Sequence, residues 1–117
     1  MTEEDDVLVV SRYRPPAGTL PDVEGLAAQV LAALADRAGF RSGWCGRSTE
    51  DASLWLLVTE WESVGTYRRA LSSYDVRVAL APLMHLAVDE PAVFEVLVRQ
   101  SPEGVARFGS DLAADSL

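Results

Sequence analysis

The segment LWLLVTEWESVGTYRRALSSY, residues 54–74, predicts the central part of the fold. It begins with the apolar run LWLLV and continues to Trp61, a pattern typical of a buried β-strand. Ser63 has a side chain suited to a helix N-cap, and the helix that we predict after it carries Tyr67. The pattern therefore places an indole ring beside a phenol ring, where a strand passes into a helix.

Four segments are predicted as strands from their β-branched and apolar residues. They are residues 7–14, 40–48, 54–61 and 92–99. Gly43 and Gly46 interrupt the second strand and predict a β-bulge there. The polar residues 49–53 predict a hairpin loop, whereas residues 83–90 have no clear pattern.

Three helical segments are predicted over residues 21–38, 64–72 and 74–81. The first has apolar residues at helical spacing and ends at Gly39. The third stops before Pro82, because the residue before a proline disfavours helical geometry. The second and third segments together occupy the place of one helix between two strands. The order is then strand, helix, strand, strand, helix, strand, which predicts an α+β, ferredoxin-like βαββαβ fold with a four-stranded antiparallel sheet.

The composition restricts the classes of partner. The chain has 117 residues and a formal charge of -8. Since it has no basic cluster, we expect no nucleic-acid partner. No apolar run approaches the ~20 residues that span a bilayer, so we expect no membrane partner either. With one cysteine, Cys45, and no targeting segment, the sequence predicts a cytoplasmic protein without a disulfide.

Residues 1–100 are predicted as one domain and residues 101–117 as a flexible tail. Helices can cover only one face of the predicted sheet, yet residues 7–10 and 54–58 are apolar at every position. Both faces of the sheet therefore require burial. We expect a second copy of the chain to pack sheet against sheet, which predicts a homodimer.

Over roughly residues 7–98 the chain resembles the antibiotic biosynthesis monooxygenase-like proteins of the dimeric α+β-barrel superfamily. The resemblance rests on the strand order, on Gly39 and Phe40, on VTEWES at 58–63, and on Tyr67 with Leu71. It implies a homodimeric α+β barrel with a hydrophobic pocket. In that pocket an aromatic, polyketide-like molecule would be oxygenated without a cofactor.

The resemblance also implies the roles of particular residues. Trp61 and Tyr67 match the tryptophan and tyrosine of the cofactor-free oxygenases in type and spacing, and would act as catalytic hydrogen-bond donors to a substrate oxygen. An asparagine on the same strand of those enzymes is replaced here by Leu57. The candidate substrate-binding residues are Ser11, Tyr13, Trp55, Leu57, Thr59, Tyr74 and His85.

Several alternatives remain open at this point. The protein could be a non-catalytic binding or accessory protein of the same fold, or a polyketide cyclase. Trp61 and Tyr67 equally fit core aromatics with polar tips at the surface. His85 also fits a solvated or capping residue, and a lone histidine predicts no metal site. Haem breakdown is not expected, because Ser11 and Ala70 stand where haem-degrading relatives have asparagine and histidine.

Overall fold

The computed structural model describes residues 6–19 and 21–110, and all elements named below lie within these ranges. In chain order they are β1 (Val7–Tyr13), α1 (Val23–Ala35), β2 (Phe40–Arg47), β3 (Trp55–Trp61), α2 (Val64–Leu71), α3 (Tyr74–Met84), β4 (Val93–Glu95), β5 (Val98–Ser101) and β6 (Gly104–Arg107). The first four strands form an antiparallel sheet in the order β2-β3-β1-β4. This topology confirms the predicted ferredoxin-like α+β fold.

On the side of β1 away from β3, the sheet is only partly paired. β1 pairs with β3 along its whole length, whereas β4 pairs with only the first three residues of β1. Beyond that point the segment 86–92 runs beside β1. The N–H of Arg14 donates to the carbonyl of Leu86, and the N–H of Val88 donates to the carbonyl of Arg12, both at 2.8 Å. The loose pairing leaves room for a cavity between this segment, β1 and the helices.

The core lies between one face of the sheet and the helices. Leu57, Thr59 and Trp61 alternate along β3 on the buried face, as the two-residue period of a strand requires. Val30 of α1 and Leu83 of α3 belong to the same core and have no exposed surface. Burial of one such aliphatic side chain contributes about 1.5–3 kcal/mol. The sheet and helix layers therefore stabilise one another.

The start of α2 is held by a reciprocal pair of hydrogen bonds. The N–H of Thr66 donates to Ser63 Oγ at 3.1 Å, and the N–H of Ser63 donates to Thr66 Oγ1 at 3.3 Å. This capping box confirms Ser63 as the N-cap. Gly39, with φ of +91°, lies against Thr66, where a Cβ would overlap its side chain. These contacts determine where α2 begins and thus where Tyr67 stands.

The prediction that the third helix stops before Pro82 is wrong, because α3 continues to Met84. A proline close to the end of a helix removes one backbone hydrogen bond, which contributes about 1 kcal/mol net. The extra residues bury Leu83 completely. That burial contributes about 1.5–3 kcal/mol and outweighs the lost bond.

The prediction of a bulge at Gly43 and Gly46 is also wrong. The register of β2 against β3 shifts between Phe40 and Ser42 instead. At Gly43 a Cβ would lie 2.6 Å from Leu31 Cδ2. The glycine therefore serves close packing of α1 on the sheet.

The last predicted strand, residues 92–99, is divided in the structure. β4 belongs to the main sheet, whereas β5 pairs with β6 in a separate hairpin. The predicted tail, residues 101–117, thus includes a strand in its described part, and residues 111–117 lie outside the described residues. Its mobility stays a prediction.

Ion pairs attach this hairpin to the main sheet. The buried carboxylate of Asp6 pairs with Arg41 at 2.6 Å and with Arg99 at 2.8 Å. Arg99 of β5 also pairs with Glu60 of β3. An acidic residue just before β1 and another on β3 therefore hold the arginine of β5 beside the main sheet.

Candidate functional site

A cavity of about 510 Å³ lies between β1, α2, α3 and the segment 87–92. Its volume falls within the ~300–1,000 Å³ usual for small-molecule sites. Most of its wall is aliphatic or thioether. These apolar residues include Val10, Leu71, Leu80, Met84, Val88 and Ala92. The lining suits a hydrophobic molecule.

Three hydroxyl groups line this cavity, those of Ser11, Tyr13 and Tyr67. Ser11 and Tyr13 come from β1, where the two-residue period places both side chains on the helix side of the sheet. Tyr67 comes from the first turns of α2. The structure thus brings together three of the residues that the sequence predicts as site residues.

Both tyrosines are held in their protonated form. Burial raises the pKa of Tyr13 above its ordinary value, and the Ser11 hydroxyl offsets part of that rise. Burial also raises the pKa of Tyr67, and the neighbouring Tyr13 adds to the effect. A phenol with a raised pKa remains a hydrogen-bond donor at neutral pH. As lining residues, Tyr13 and Tyr67 can donate hydrogen bonds to an oxygen atom of a bound molecule that becomes negatively charged.

Trp61 lies behind the cavity wall and does not line it. The side chain has no exposed surface, and its indole N–H donates to Thr59 Oγ1 at 2.8 Å. Its ring contacts Tyr67, with centroids 5.6 Å apart, and Phe40 at 5.3 Å. The two rings are neighbours, as the sequence predicts. In this arrangement Trp61 supports Tyr67, and direct donation from Trp61 to a substrate stays a prediction.

Leu57 and Thr59 lie on the same face of β3, beneath the cavity. Together with Tyr67 they line a void of about 30 Å³, which is large enough for a water molecule. Both residues are buried, with 5% and 2% of their surface exposed. They form the floor behind Tyr67, and they do not line the main cavity.

The structure places three other predicted binding residues away from the cavity. Trp55 lies at the start of β3, with the Arg47 guanidinium 4.8 Å from its ring centroid. Tyr74 is 79% exposed at the start of α3, because its neighbour Val76 takes the buried side of that helix. His85 is exposed at the C-cap of α3. The sequence does not reveal that Tyr74 and His85 lie outside the cavity, because the orientation of a helix depends on how it packs.

Further cavity residues were not predicted as site residues. Arg77, Leu80, Ala81 and Met84 of α3 all line it. Their positions follow the i, i+3, i+4, i+7 spacing of one helix face. The sequence contains this spacing, but its last position, Met84, lies beyond Pro82, and the predicted helix ends before that proline.

Two other kinds of site do not occur among the described residues. Within residues 6–19 and 21–110, no group of three or more His, Cys, Asp or Glu side chains could hold a metal ion. No helix in the same ranges is long and apolar enough to span a membrane.

Comparisons with solved structures support the fold. SnoaB, a cofactor-independent oxygenase from Streptomyces nogalater, is 23% identical to this chain, with a TM-score of 0.70 over 84% of this chain and 97% of that chain. Rv0793 from Mycobacterium tuberculosis is 16% identical, with a TM-score of 0.65 over 83% and 98% of the two chains. At these identities the likeness shows the fold alone. No match was found among curated protein sequences.

The family comparison covers a large part of the chain. The model of the antibiotic biosynthesis monooxygenase family matches residues 6–81. The match includes β1, α1, β2, β3 and α2, and it ends within α3. Because it spans more than half of the sequence, the chain belongs to the antibiotic biosynthesis monooxygenase family.

Proposed function

We propose that the protein is a cofactor-independent monooxygenase that oxygenates an aromatic, polyketide-like molecule in the cavity beside β1. The observation that carries this proposal is the cavity itself, an apolar space of about 510 Å³ into which Tyr67 and Tyr13 project. Family membership and the likeness to an oxygenase of the same fold support it.

The reaction follows from the chemistry of the substrate. An anthrone that loses a proton becomes an electron-rich anion, which transfers an electron to O₂ directly. The reacting methylene then loses both hydrogens and gains one oxygen atom, while the second oxygen atom of O₂ leaves as water. O₂ accepts all the electrons, so no external reductant is required. The proton released first passes to solvent water at the open side of the cavity, and an equivalent proton returns from solvent when the second oxygen atom leaves as water.

The residues of the chain assist this reaction in two ways. The hydroxyl of Tyr67, assisted by that of Tyr13, donates to the substrate oxygen that becomes negatively charged. The apolar wall formed by residues such as Leu71 and Leu80 excludes water from the anion. The hydrogen bonds favour the deprotonated substrate, which is the species that reacts with O₂, and the exclusion of water strengthens those hydrogen bonds.

The function can be tested with a variant that fills the cavity. Ala81 lines the cavity from α3, and Ala81→Trp would place an indole where the substrate binds. With an anthrone as substrate, we expect O₂ uptake and quinone absorbance above the spontaneous rate for the wild type. We expect a loss of at least ~10-fold for Ala81→Trp, because overpacking excludes the ligand. Ala32→Trp, at an exposed position of α1, is the matched control and should retain activity.

A wild-type rate equal to spontaneous oxidation would contradict the proposal. It would favour the second candidate function, a protein that binds a metabolite without converting it. Two observations favour that candidate: Leu57 stands in place of a polar residue, and the N–H of Trp61 is already used by Thr59. Tight binding of a ligand that stays unchanged in air would support it. Product formation without O₂ would instead indicate a cyclase.

The proposal includes a homodimer. The face of the sheet opposite the helices carries several apolar side chains, among them Leu8, Leu56 and Val58, together with the charged Glu60. Trp44 and Phe94 extend this face at 54% and 45% exposure. An apolar patch of this kind on a sheet is typical of a protein interface. A second copy that packs sheet against sheet would cover it.

The dimer can be tested with two variants of equal exposure. We expect native mass spectrometry at micromolar concentration to give twice the chain mass of 12.7 kDa. Trp44→Glu should shift the protein to monomer, since it places a charge in the interface. Val78→Glu, at an equally exposed 54% position on α3, should remain dimeric. A wild-type protein that is wholly monomeric would contradict the assembly.

A further inference from the structure

Three charged side chains line the cavity in addition to its apolar wall and its three hydroxyl groups. They are Arg12 of β1, Arg77 of α3 and Glu90 of the segment beside β1. All three are exposed or partly exposed, so they lie where the cavity meets solvent. We call this group the cavity mouth.

The two arginines differ in their partners. Arg12 Nη1 pairs with Glu90 Oε1 at 3.4 Å, and the two side chains are 40% and 52% exposed. Such a long, solvated pair contributes at most about 1 kcal/mol, and a competing anion can replace it. The guanidinium of Arg77 has no hydrogen bond or ion pair with any residue that the structure describes. Arg77 is therefore available to an external anion.

The charge at the mouth is opposite to that of the whole chain. The protein has a formal charge of -8, yet the mouth has two cations and one carboxylate. A local positive excess in an acidic protein attracts anions to that place and repels them elsewhere. The other polar groups of the cavity, the hydroxyls of Tyr13 and Tyr67, also donate hydrogen bonds, which favours an anion further.

We propose that Arg77 binds a carboxylate on the ligand, so that the substrate is an aromatic acid. The flat ring system would lie against the apolar wall formed by residues such as Leu80 and Met84. Its acid group would remain at the mouth, where a guanidinium can donate two parallel hydrogen bonds to it. The inference rests on the proposed function, because both use the same cavity as the substrate site. It adds that the substrate carries an acid group and that this group lies at the cavity mouth.

Two fluorescent probes that differ only in charge test this inference. Anthracene-2-carboxylate and anthracene-2-carboxamide have the same ring system, and their affinities can be measured by fluorescence titration. For the wild type we expect the carboxylate to bind about fivefold more tightly than the amide, as an accessible charge-assisted pair allows. The difference should shrink between about 20 mM and about 500 mM salt, because salt screens an exposed pair.

Matched arginine variants separate local recognition from net charge. Arg77→Gln should remove the preference for the carboxylate, so that the ratio of the two affinities falls to about one. Arg68→Gln alters the net charge equally, at an exposed position of α2 outside the cavity, and should keep the preference. Equal affinities of the wild type for both probes would overturn the inference, as would an equal loss of preference in both variants.

The same titrations distinguish a failure of the inference from a failure of the function. If the amide binds and a neutral anthrone is oxidised, but the carboxylate has no advantage, only the role of Arg77 is overturned. If neither probe binds, the cavity is not an aromatic site, and both proposals are overturned.

Discussion

Replacing Trp61 by alanine is expected to lower the free energy of unfolding by about 3–5 kcal/mol. The side chain has no exposed surface, and its ring packs against Phe40 and Tyr67. Its removal would leave a cavity at the junction of β3 and α2 and would also remove the indole N–H from Thr59. Chemical denaturation followed by circular dichroism measures the change. The control Tyr74→Ala, at a 79% exposed position, should stay within about 0.5 kcal/mol of the wild type.

A milder substitution separates the structural and catalytic interpretations of Trp61. Trp61→Phe keeps an aromatic ring but removes the donor to the buried Thr59 hydroxyl, which should lower the free energy of unfolding by about 1–3 kcal/mol. If Trp61 acts by supporting Tyr67, its loss should lower kcat less than the loss of the Tyr67 hydroxyl. An equal loss of kcat in a stably folded Trp61→Phe protein would instead support direct donation to the substrate.

Tyr67→Phe is expected to lower kcat about 100-fold with an anthrone substrate, while KM changes little. The phenol ring and its contact with Trp61 remain, so the fold is retained. What is lost is a preorganised donor to the developing oxyanion, and removal of such a donor typically costs a factor of about 10²–10³. O₂ uptake and quinone absorbance measure the rate. Tyr74→Phe is the matched control, since that hydroxyl lies outside the cavity, and a Tyr67→Phe enzyme within twofold of the wild type would contradict the role.

The pH dependence of the reaction follows from the same residue. Because burial raises the pKa of Tyr67 above 10.0, the donor stays protonated through the neutral range, and we expect no loss of rate from its ionisation below about pH 10. The free energy of unfolding depends on pH in the same direction as the rate. The unfolded chain releases the phenolic proton before the folded one, so the contribution of Tyr67 is complete below about pH 10 and is lost as the pH rises through the folded pKa.

The fold could be predicted well from local patterns. Apolar runs such as LWLLV at 54–58, the N-cap Ser63 and the helical spacing after Pro21 each act over a few residues. Strand, helix and turn signals depend on those neighbours alone, and their order determines the topology. The errors fell where a distant contact outweighed a local signal. Burial of Leu83 carried α3 past Pro82, and the ion pairs of Arg99 accompany the departure of β5 from the main sheet.

The site could be predicted only in part. The resemblance implies Tyr67 as a site residue, and the sequence adds Ser11 and Tyr13 as candidates; the structure places all three at the cavity. Arg77 was missed, since whether a helix residue faces a cavity or solvent depends on how the helix packs. Tyr74, three residues away on the same helix, was predicted for the cavity and is exposed.

Residues 54–74 include features that the sequence determines and features that only the tertiary structure decides. By itself the sequence determined that a buried strand ends at Trp61, that a capped helix follows, and that the rings of Trp61 and Tyr67 are neighbours. Only the tertiary structure decided that Tyr67 reaches the cavity, whereas the indole N–H of Trp61 turns back to Thr59. The physical reason is that local backbone geometry determines which residues of one segment lie beside each other. The partner of a hydrogen-bond donor depends instead on all the atoms that tertiary packing brings within hydrogen-bond distance.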